Sequence, residues 1–388
     1  MKGNPMIEFT KPTITDLEKK YVIDALENGQ LSGDKKYTKL CNEWFNERGY
    51  NHFLLTTSGS SALDLAAILT KIQPGDEFIT PSFTFSSTAN AFMLRGARPV
   101  FAEIDPDTMN IDVDKIESLI TDKTKVIVPV DYAGVSCDMD RIMEIAEKHH
   151  LMVVEDAAQA IGSKYKGEPC GLLADISCFS FHETKNIVMG EGGAVQIKDA
   201  ALMDEAEIVR EKGTNRKQFI HGIVDKYSWY KVGSSFLPSD VLAAILYGQL
   251  ERFDEIIGRR LEIWQQYYDF FEDLEKSGDI RRPHVPEYAT HNAHIFFILL
   301  NDKEARDGLL QYLRENDVSA TFHYLPLHSA PLGQEYGYKP EDLPITEDAA
   351  GRLLRLPLHY NMSDEDVAKV CSLTAEFINN QKKGAKWF

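Results

Sequence analysis

The sequence predicts an α/β fold, a mostly parallel sheet covered on both faces by helices, with a smaller α+β unit after it. Three observations predict this. Between residues 77 and 197, short runs rich in Val, Ile and Phe alternate with helical stretches, the pattern of strands joined by crossover helices. From 239 to about 276 the pattern is almost continuously helical. Beyond it, strand-like and helix-like stretches alternate once more. A chain of 388 residues suits a large and a small domain, and it is ample for a substantial core.

Taken in order, residues 15–28 read as a helix, because Thr15 and Glu18 form a capping-box pattern and Gly29 supplies a stop. A second helix starts near Ser60, in SSALDLAAILTKI, and stops before Pro74-Gly75. Strands are expected at 77–80, 99–104, 126–130, 151–154, 177–181 and 194–197, and helices at 87–94, 113–120 and 139–149. A long helix around 240–276, with a bend inside it, is expected to join a large domain, 1–250, to a small one, 251–388. Pro283 and Pro286 mark a loop; 294–300 and 319–324 read as strands, and 303–316 and 363–379 as helices.

The formal net charge is −18, which repels nucleic acid and anionic membranes, so neither is an expected partner. The common reason for such a charge is solubility; an anionic substrate would need a locally basic pocket. Lys231, Arg216 and Arg210 are possible sources of that charge, although solvated surface positions are the commoner fate of any one of them. No stretch of about 18 apolar residues predicts a membrane span, and the N-terminus has no signal-like apolar run. The five cysteines, Cys41, Cys137, Cys170, Cys178 and Cys371, form no CxxC pair and no metal-like cluster. Free thiols in a cytoplasmic protein without a metal are the expectation.

Three segments carry chemistry. In LMVVEDAAQA an apolar strand runs into Asp156, where open α/β sheets gather ligands; a helix N-cap is the plain alternative. In SCFSFHETKN a strand is followed by Lys185, 29 residues after Asp156 and shortly before Gly190-Glu191-Gly192-Gly193. A lysine at a strand end can form a Schiff base, although most lysines are surface residues. In TTSGSSALDLAA, Gly59 allows close backbone approach and Ser60 and Ser61 open a helix whose free N–H groups favour phosphate. An ordinary serine-capped helix is equally consistent with that segment alone. Neither a P-loop nor a clean GxGxxG occurs. A phosphate cradle, a strand-end aspartate and a strand-end lysine together are the parts of a pyridoxal 5′-phosphate site.

With PSFTFSSTANAF, VVEDAAQA, CFSFHETKN, GEGGA, REKGTNR and RLLRLPL in this order, nearly the whole chain resembles the DegT/DnrJ/EryC1/StrS sugar aminotransferases. That family lies within the fold-type I, aspartate aminotransferase-like, enzymes. The runs GDEFITPSFTFSSTANAFMLRGA, CFSFHETKN and VDKYSW resemble its dTDP-4-keto-6-deoxyglucose 4-aminotransferase branch. The resemblance implies a large domain with a seven-stranded sheet and a small C-terminal domain. It implies Lys185 as the Schiff-base lysine and Asp156 as partner of the pyridinium nitrogen. It implies Gln159 at the phenolic oxygen, Phe85 stacked on the ring, and Gly59, Ser60 and Ser180 at the phosphate.

Many relatives carry an asparagine that reaches the phosphate of the neighbouring subunit; Ser235, in Gly233-Ser234-Ser235, stands there and is shorter. His323 and Tyr324, in TFHYLPLH, border the active site by resemblance. L-glutamate is the implied amino donor, a nucleotide-linked keto sugar the acceptor, and a homodimer with interfacial sites the implied assembly. A dehydratase branch has histidine in place of the lysine, so Lys185 implies amine transfer. A 3-keto sugar or a UDP sugar is an alternative acceptor. A cofactor-binding regulator without turnover, or a nicotinamide oxidoreductase, lacks the sequence features that it needs.

Overall fold

The computed structural model describes residues 6–382 apart from Gln30 and His221. Seven strands form the main sheet: β1 (Phe53–Thr56), β2 (Glu77–Pro81), β3 (Arg98–Ala102), β4 (Thr124–Ile127), β5 (Met152–Asp156), β6 (Ile176–Ser180) and β7 (Gly193–Ile197). Their spatial order is β3-β2-β4-β5-β6-β7-β1. Only β7 runs against its neighbours. The sheet is thus the mostly parallel α/β sheet expected. β1 escapes the sequence reading: four buried residues are too few to set a period.

The covering helices are α1 (Asp16–Glu27), α2 (Lys36–Asn46), α3 (Gly59–Leu69), α4 (Ser86–Met93), α5 (Val113–Leu119), α6 (Met139–His149), α7 (Ala200–Arg210) and α8 (Asp240–Glu251). Alternate residues of each strand face opposite cores. Leu54, Val154 and Cys178 pack with α3, α4 and α7, whereas Leu55 and Phe179 pack with α1, α2 and α8. Val153 and Ile127 meet α6 on that second face. α1 carries the expected capping box at Thr15 and Glu18, and the Glu18 carboxylate also accepts from Gln249 of α8 at 2.6 Å.

The long helix expected around 240–276 is interrupted twice. α8 ends at Arg252 (φ −106°, ψ 16°) and α9 (Phe253–Phe270) ends at Phe271 (φ −85°, ψ 3°), before a short helix Glu272–Lys276. The interruption reconciles two burial demands. α8 buries Ala243, Ala244 and Leu246 against the sheet's helices, and α9 turns Ile263, Trp264 and Tyr267 into a separate core. That second core is built on an antiparallel pair, β8 (Phe296–Leu299) and β9 (Leu353–Leu356), with α10 (Lys303–Glu315) and α11 (Asp364–Lys382). Ile7 is buried in it and pairs with Val318, so the first described residues pack with the C-terminal half. Residues 319–324 do not form the expected strand. One bridge, Thr321 to Arg355, ties them to β9, and the chain then leaves the pair to bring His323 and Tyr324 to a cavity wall.

Candidate active site

β5 and β6 run parallel, so their carboxyl ends open at one sheet edge. A cavity of about 480 Å³ lies there, closed on the far side by residues near β8 and β9. Lys185, Asp156, Gly59, Ser60, Phe85, Gln159, Ser180, His323 and Tyr324 all line it. Nine of the ten residues assigned from the sequence to the cofactor and the substrate therefore meet in one place. The tenth, Ser235, is exposed, bridges to Glu211 and is not part of this wall.

Asp156 is the last residue of β5 and is 5% exposed. Its Oδ2 accepts from the Thr88 hydroxyl of α4 at 2.7 Å, and its Oδ1 from the Ala158 N–H at 3.1 Å. Burial pushes the carboxyl above its ordinary range; the two hydrogen bonds and the Lys185 charge oppose that. Neutral donors thus hold a buried carboxylate ready for a cationic N–H.

Lys185 follows β6 by a tight loop in which its N–H donates to the His182 carbonyl at 2.9 Å. The next residue, buried Asn186, donates Nδ2–H to the Asn292 carbonyl at 2.8 Å, and its Oδ1 lies 3.0 Å from His294 Nδ1. The lysine loop is therefore anchored to the opposite wall. Burial lowers the pKa of the Lys185 amine to about 8, with Asp156 pulling upward and Arg355 pushing downward. An amine so placed is a usable nucleophile and base near neutral pH.

α3 begins at this cavity. Ser58 caps it by accepting from the Ser61 N–H at 3.0 Å, which leaves the N–H groups of Gly59 and Ser60 at the helix end. A Cβ on Gly59 would sit 2.8 Å from the Ser180 Cβ, and one on Gly193 2.5 Å from the Ser58 carbonyl. Only glycines let β6 and β7 approach the helix end this closely. Anion binding needs such a cradle of backbone N–H groups and a hydroxyl.

Phe85, at the start of α4, is 59% exposed although it lines the cavity, and so offers an uncovered ring face. Gln159 is largely engaged already: Oε1 accepts from the Ala133 N–H at 2.8 Å and Nε2 donates to the Tyr324 hydroxyl at 3.1 Å. One N–H remains to it. His323 stacks on Tyr324 with ring centres 3.6 Å apart, and its Nδ1 lies 3.2 Å from the Tyr132 hydroxyl.

The cations named from the sequence do not supply this cavity. Arg210 pairs with Asp34 at 2.8 Å, Arg216 with Glu211 at 3.4 Å and Lys231 with Glu205 at 2.7 Å; none lines the wall. Arg355 of β9 and His294 do line it, and the sequence reading missed both. The Arg355 Nε is buried without a hydrogen-bond partner, and Nη2 donates only to the Phe322 carbonyl at 3.3 Å. The available signal was a charge inside the apolar run RLLRLPL. His294 is buried and kept neutral by burial.

A buried carboxylate held by neutral donors, an amine of lowered pKa and a glycine-lined helix end around one cavity fit a phosphorylated pyridine aldehyde. The comparisons agree. Residues 12–374 match the model of the DegT/DnrJ/EryC1/StrS aminotransferase family. The spore coat polysaccharide biosynthesis protein SpsC of Bacillus subtilis is 35% identical, over 97% of this chain and 98% of its own. The UDP-4-amino-4-deoxy-L-arabinose–oxoglutarate aminotransferase of Shewanella sediminis is 32% identical, over 98% of this chain and 100% of its own. The sugar aminotransferase Spr1654 of Streptococcus pneumoniae, a putative assignment in its own description, superposes in its PMP form with a TM-score of 0.90 at 27% identity, over 96% of this chain and 99% of its own; it has also been solved in a PLP form. The chain belongs to the DegT/DnrJ/EryC1/StrS aminotransferase family, it has the fold-type I architecture, and its cofactor is pyridoxal 5′-phosphate.

Proposed function

We propose that this protein transfers the amino group of L-glutamate to C4 of dTDP-4-keto-6-deoxy-D-glucose, giving a dTDP-4-amino-4,6-dideoxy sugar and 2-oxoglutarate. The observation that carries the reading is that Lys185 and Asp156, from different strand ends, face one cavity. When bound, the cofactor withdraws electrons from the substrate carbon that loses its proton. Lys185 anchors the cofactor, and its freed neutral amine then moves the proton to and from that carbon. Asp156 holds the proton of the ring nitrogen. Gly59, Ser60 and Ser180 bind the phosphate, Phe85 covers the ring, and the spare N–H of Gln159 serves the phenolic oxygen. Arg355, whose Nε has no hydrogen-bond partner, suits the carboxylate of an amino acid donor, while His323 and Tyr324 border the sugar.

Support for a 4-amino product comes from the Shewanella relative, whose name joins a 4-amino sugar to oxoglutarate. The same name favours a second reading, a UDP sugar as acceptor. A second copy of the chain is supported by the exposed apolar run Phe219, Ile220, Ile223, Tyr227, Trp229, Tyr230 and Val232, and Ser235 lies beside it. The chain is read as a large domain, 1–250, and a small one, 251–388, joined by the helical stretch around 240–276. No helix of the described residues is long and apolar enough to cross a membrane, and all five cysteines are free and buried; a cytoplasmic place fits both.

The test is the visible spectrum of the holoenzyme with and without glutamate, followed by dTDP-, UDP- and GDP-linked 3- and 4-keto sugars. Glutamate should bleach the cofactor band and the dTDP-4-keto sugar should restore it. Restoration by another sugar alone would replace the acceptor, and an inert spectrum would remove the transfer reaction.

A further inference from the structure

Behind Asp156 lies a second acidic pair. Val130 bridges to Asp156, so the alternation of parallel strands turns Asp131 and Glu155 to the other face, side by side. They are 0% and 1% exposed. Glu155 accepts from the Gly171 N–H at 3.0 Å and 3.1 Å and from the Ser177 hydroxyl at 2.8 Å. Asp131 Oδ1 accepts from the Cys137 N–H at 2.9 Å, and its Oδ2 has no partner. Oxygens of the two acids and the Cys170 sulfur lie within 4.8 Å of one another. The titratable groups whose fields reach the pair are Cys137, Cys170 and Tyr50, with Asp156 and Cys178 on the opposite face of the sheet, none of them a base. Burial holds these thiols and this phenol above their ordinary range, hence neutral.

Two full negative charges with no cation beside them cannot persist in a dry core. A hydroxyl proton on one acid, donated to the other, satisfies both. We propose that Asp131 and Glu155 share one proton at neutral pH, so that the pair carries a single negative charge and spares Asp156 the field of a second. Burial pushes both carboxyls upward; the Glu155 and Asp156 charges push Asp131 further, while for Glu155 a hydrogen bond from Asp131 opposes the shift and the Asp156 charge adds to it. The folded chain therefore keeps a proton that the unfolded chain has lost above about pH 4, and stability from this source declines as pH rises until that proton leaves.

Asp131→Asn tests this in the holoenzyme, because the amide supplies the donor permanently and leaves the pair's charge unchanged. A wild-type-minus-variant infrared spectrum at about pH 8 should show a protonated-carboxyl band that shifts in deuterium oxide. The unfolding temperature of the variant should gain on the wild type as pH rises from about 5 to about 8, since only the wild type must retain a titrating proton. The pH at which the bound cofactor's absorbance changes should stay in place in Asp131→Asn, and should fall in Asp131→Asn/Glu155→Gln, which removes the remaining charge near Asp156. The proposal is overturned by a missing band, by a pH-independent difference in unfolding temperature, or by a fall in the spectral transition of the single variant. One equivalent of a divalent metal released on acid denaturation would overturn it too, because an ion would then fill the gap.

Discussion

The two walls of the cavity differ in how their polar groups are held. On the sheet side, Asp156 has two donors, and the Ser58 cap on the Ser61 N–H fixes the opening of α3 with the Gly59 and Ser60 N–H groups left for the phosphate. On the C-terminal side, Arg355 keeps a buried Nε without any partner. A saturated wall is rigid and suits a group that never leaves; an unsaturated wall suits two substrates that must take turns. Substitutions on the sheet side should therefore damage every half-reaction, and substitutions on the other side only one.

The largest effect is expected at Lys185. Lys185→Ala should slow amine transfer by about a hundred- to ten-thousand-fold and abolish trapping of the cofactor by borohydride. Cofactor still fixed to the variant protein would move the anchor to another lysine. The same amine has a pH signature: with its pKa lowered to about 8, its neutral form grows roughly ten-fold per pH unit below that value and levels above it. The rate at which the apoprotein captures the cofactor should follow that curve. A rate still climbing at about pH 10 would return Lys185 to the ordinary lysine range.

Asp156→Asn comes next. Charge-assisted hydrogen bonds contribute about 1.5–3 kcal/mol, so proton transfer should slow by about ten- to a hundred-fold with both glutamate and the keto sugar. Unchanged half-reaction rates would remove Asp156 from the ring nitrogen.

The contrast between the walls also separates what the sequence discloses from what it hides. Asp156, Lys185 and Gly59 sit at strand ends or a helix start, and each announces itself locally as a polar or small residue after an apolar run. Arg355 lies inside β9, where a four-residue strand gives no period to show which way a charge points. Its environment comes from β8 and from residues 321–324 folding over it, contacts distant in sequence. The same reason explains the misplaced strand at 319–324, whose Thr321, His323 and Tyr324 serve a cavity wall rather than a ladder. The break at Arg252 is likewise tertiary: helix propensity continues through it, and two cores compete for the two halves.

Arg355→Gln sharpens the comparison. The KM for glutamate should rise about ten-fold, while the keto-sugar half-reaction changes little. An equal loss in both half-reactions would show that this arginine supports the cofactor wall, and the distinction between the walls would fail.

The smallest effect is expected from Thr88→Val, which removes one neutral donor from Asp156 and keeps the side chain's volume. The Thr88 hydroxyl stabilises the charged form of the carboxyl, so its loss moves the Asp156 pKa upward, and the acid-side transition of the cofactor spectrum should move to higher pH. A neutral hydrogen bond is worth about 0.5–1.5 kcal/mol net, which corresponds to a slowing of about two- to thirteen-fold in both half-reactions. Because Ala158 still donates to the other oxygen, the carboxylate keeps its position, and the effect should appear in rates and pH response rather than in KM. A change confined to KM would mean that Thr88 shapes the substrate space instead of tuning Asp156, and the sheet wall would then be less committed to the cofactor than its saturated hydrogen bonds indicate.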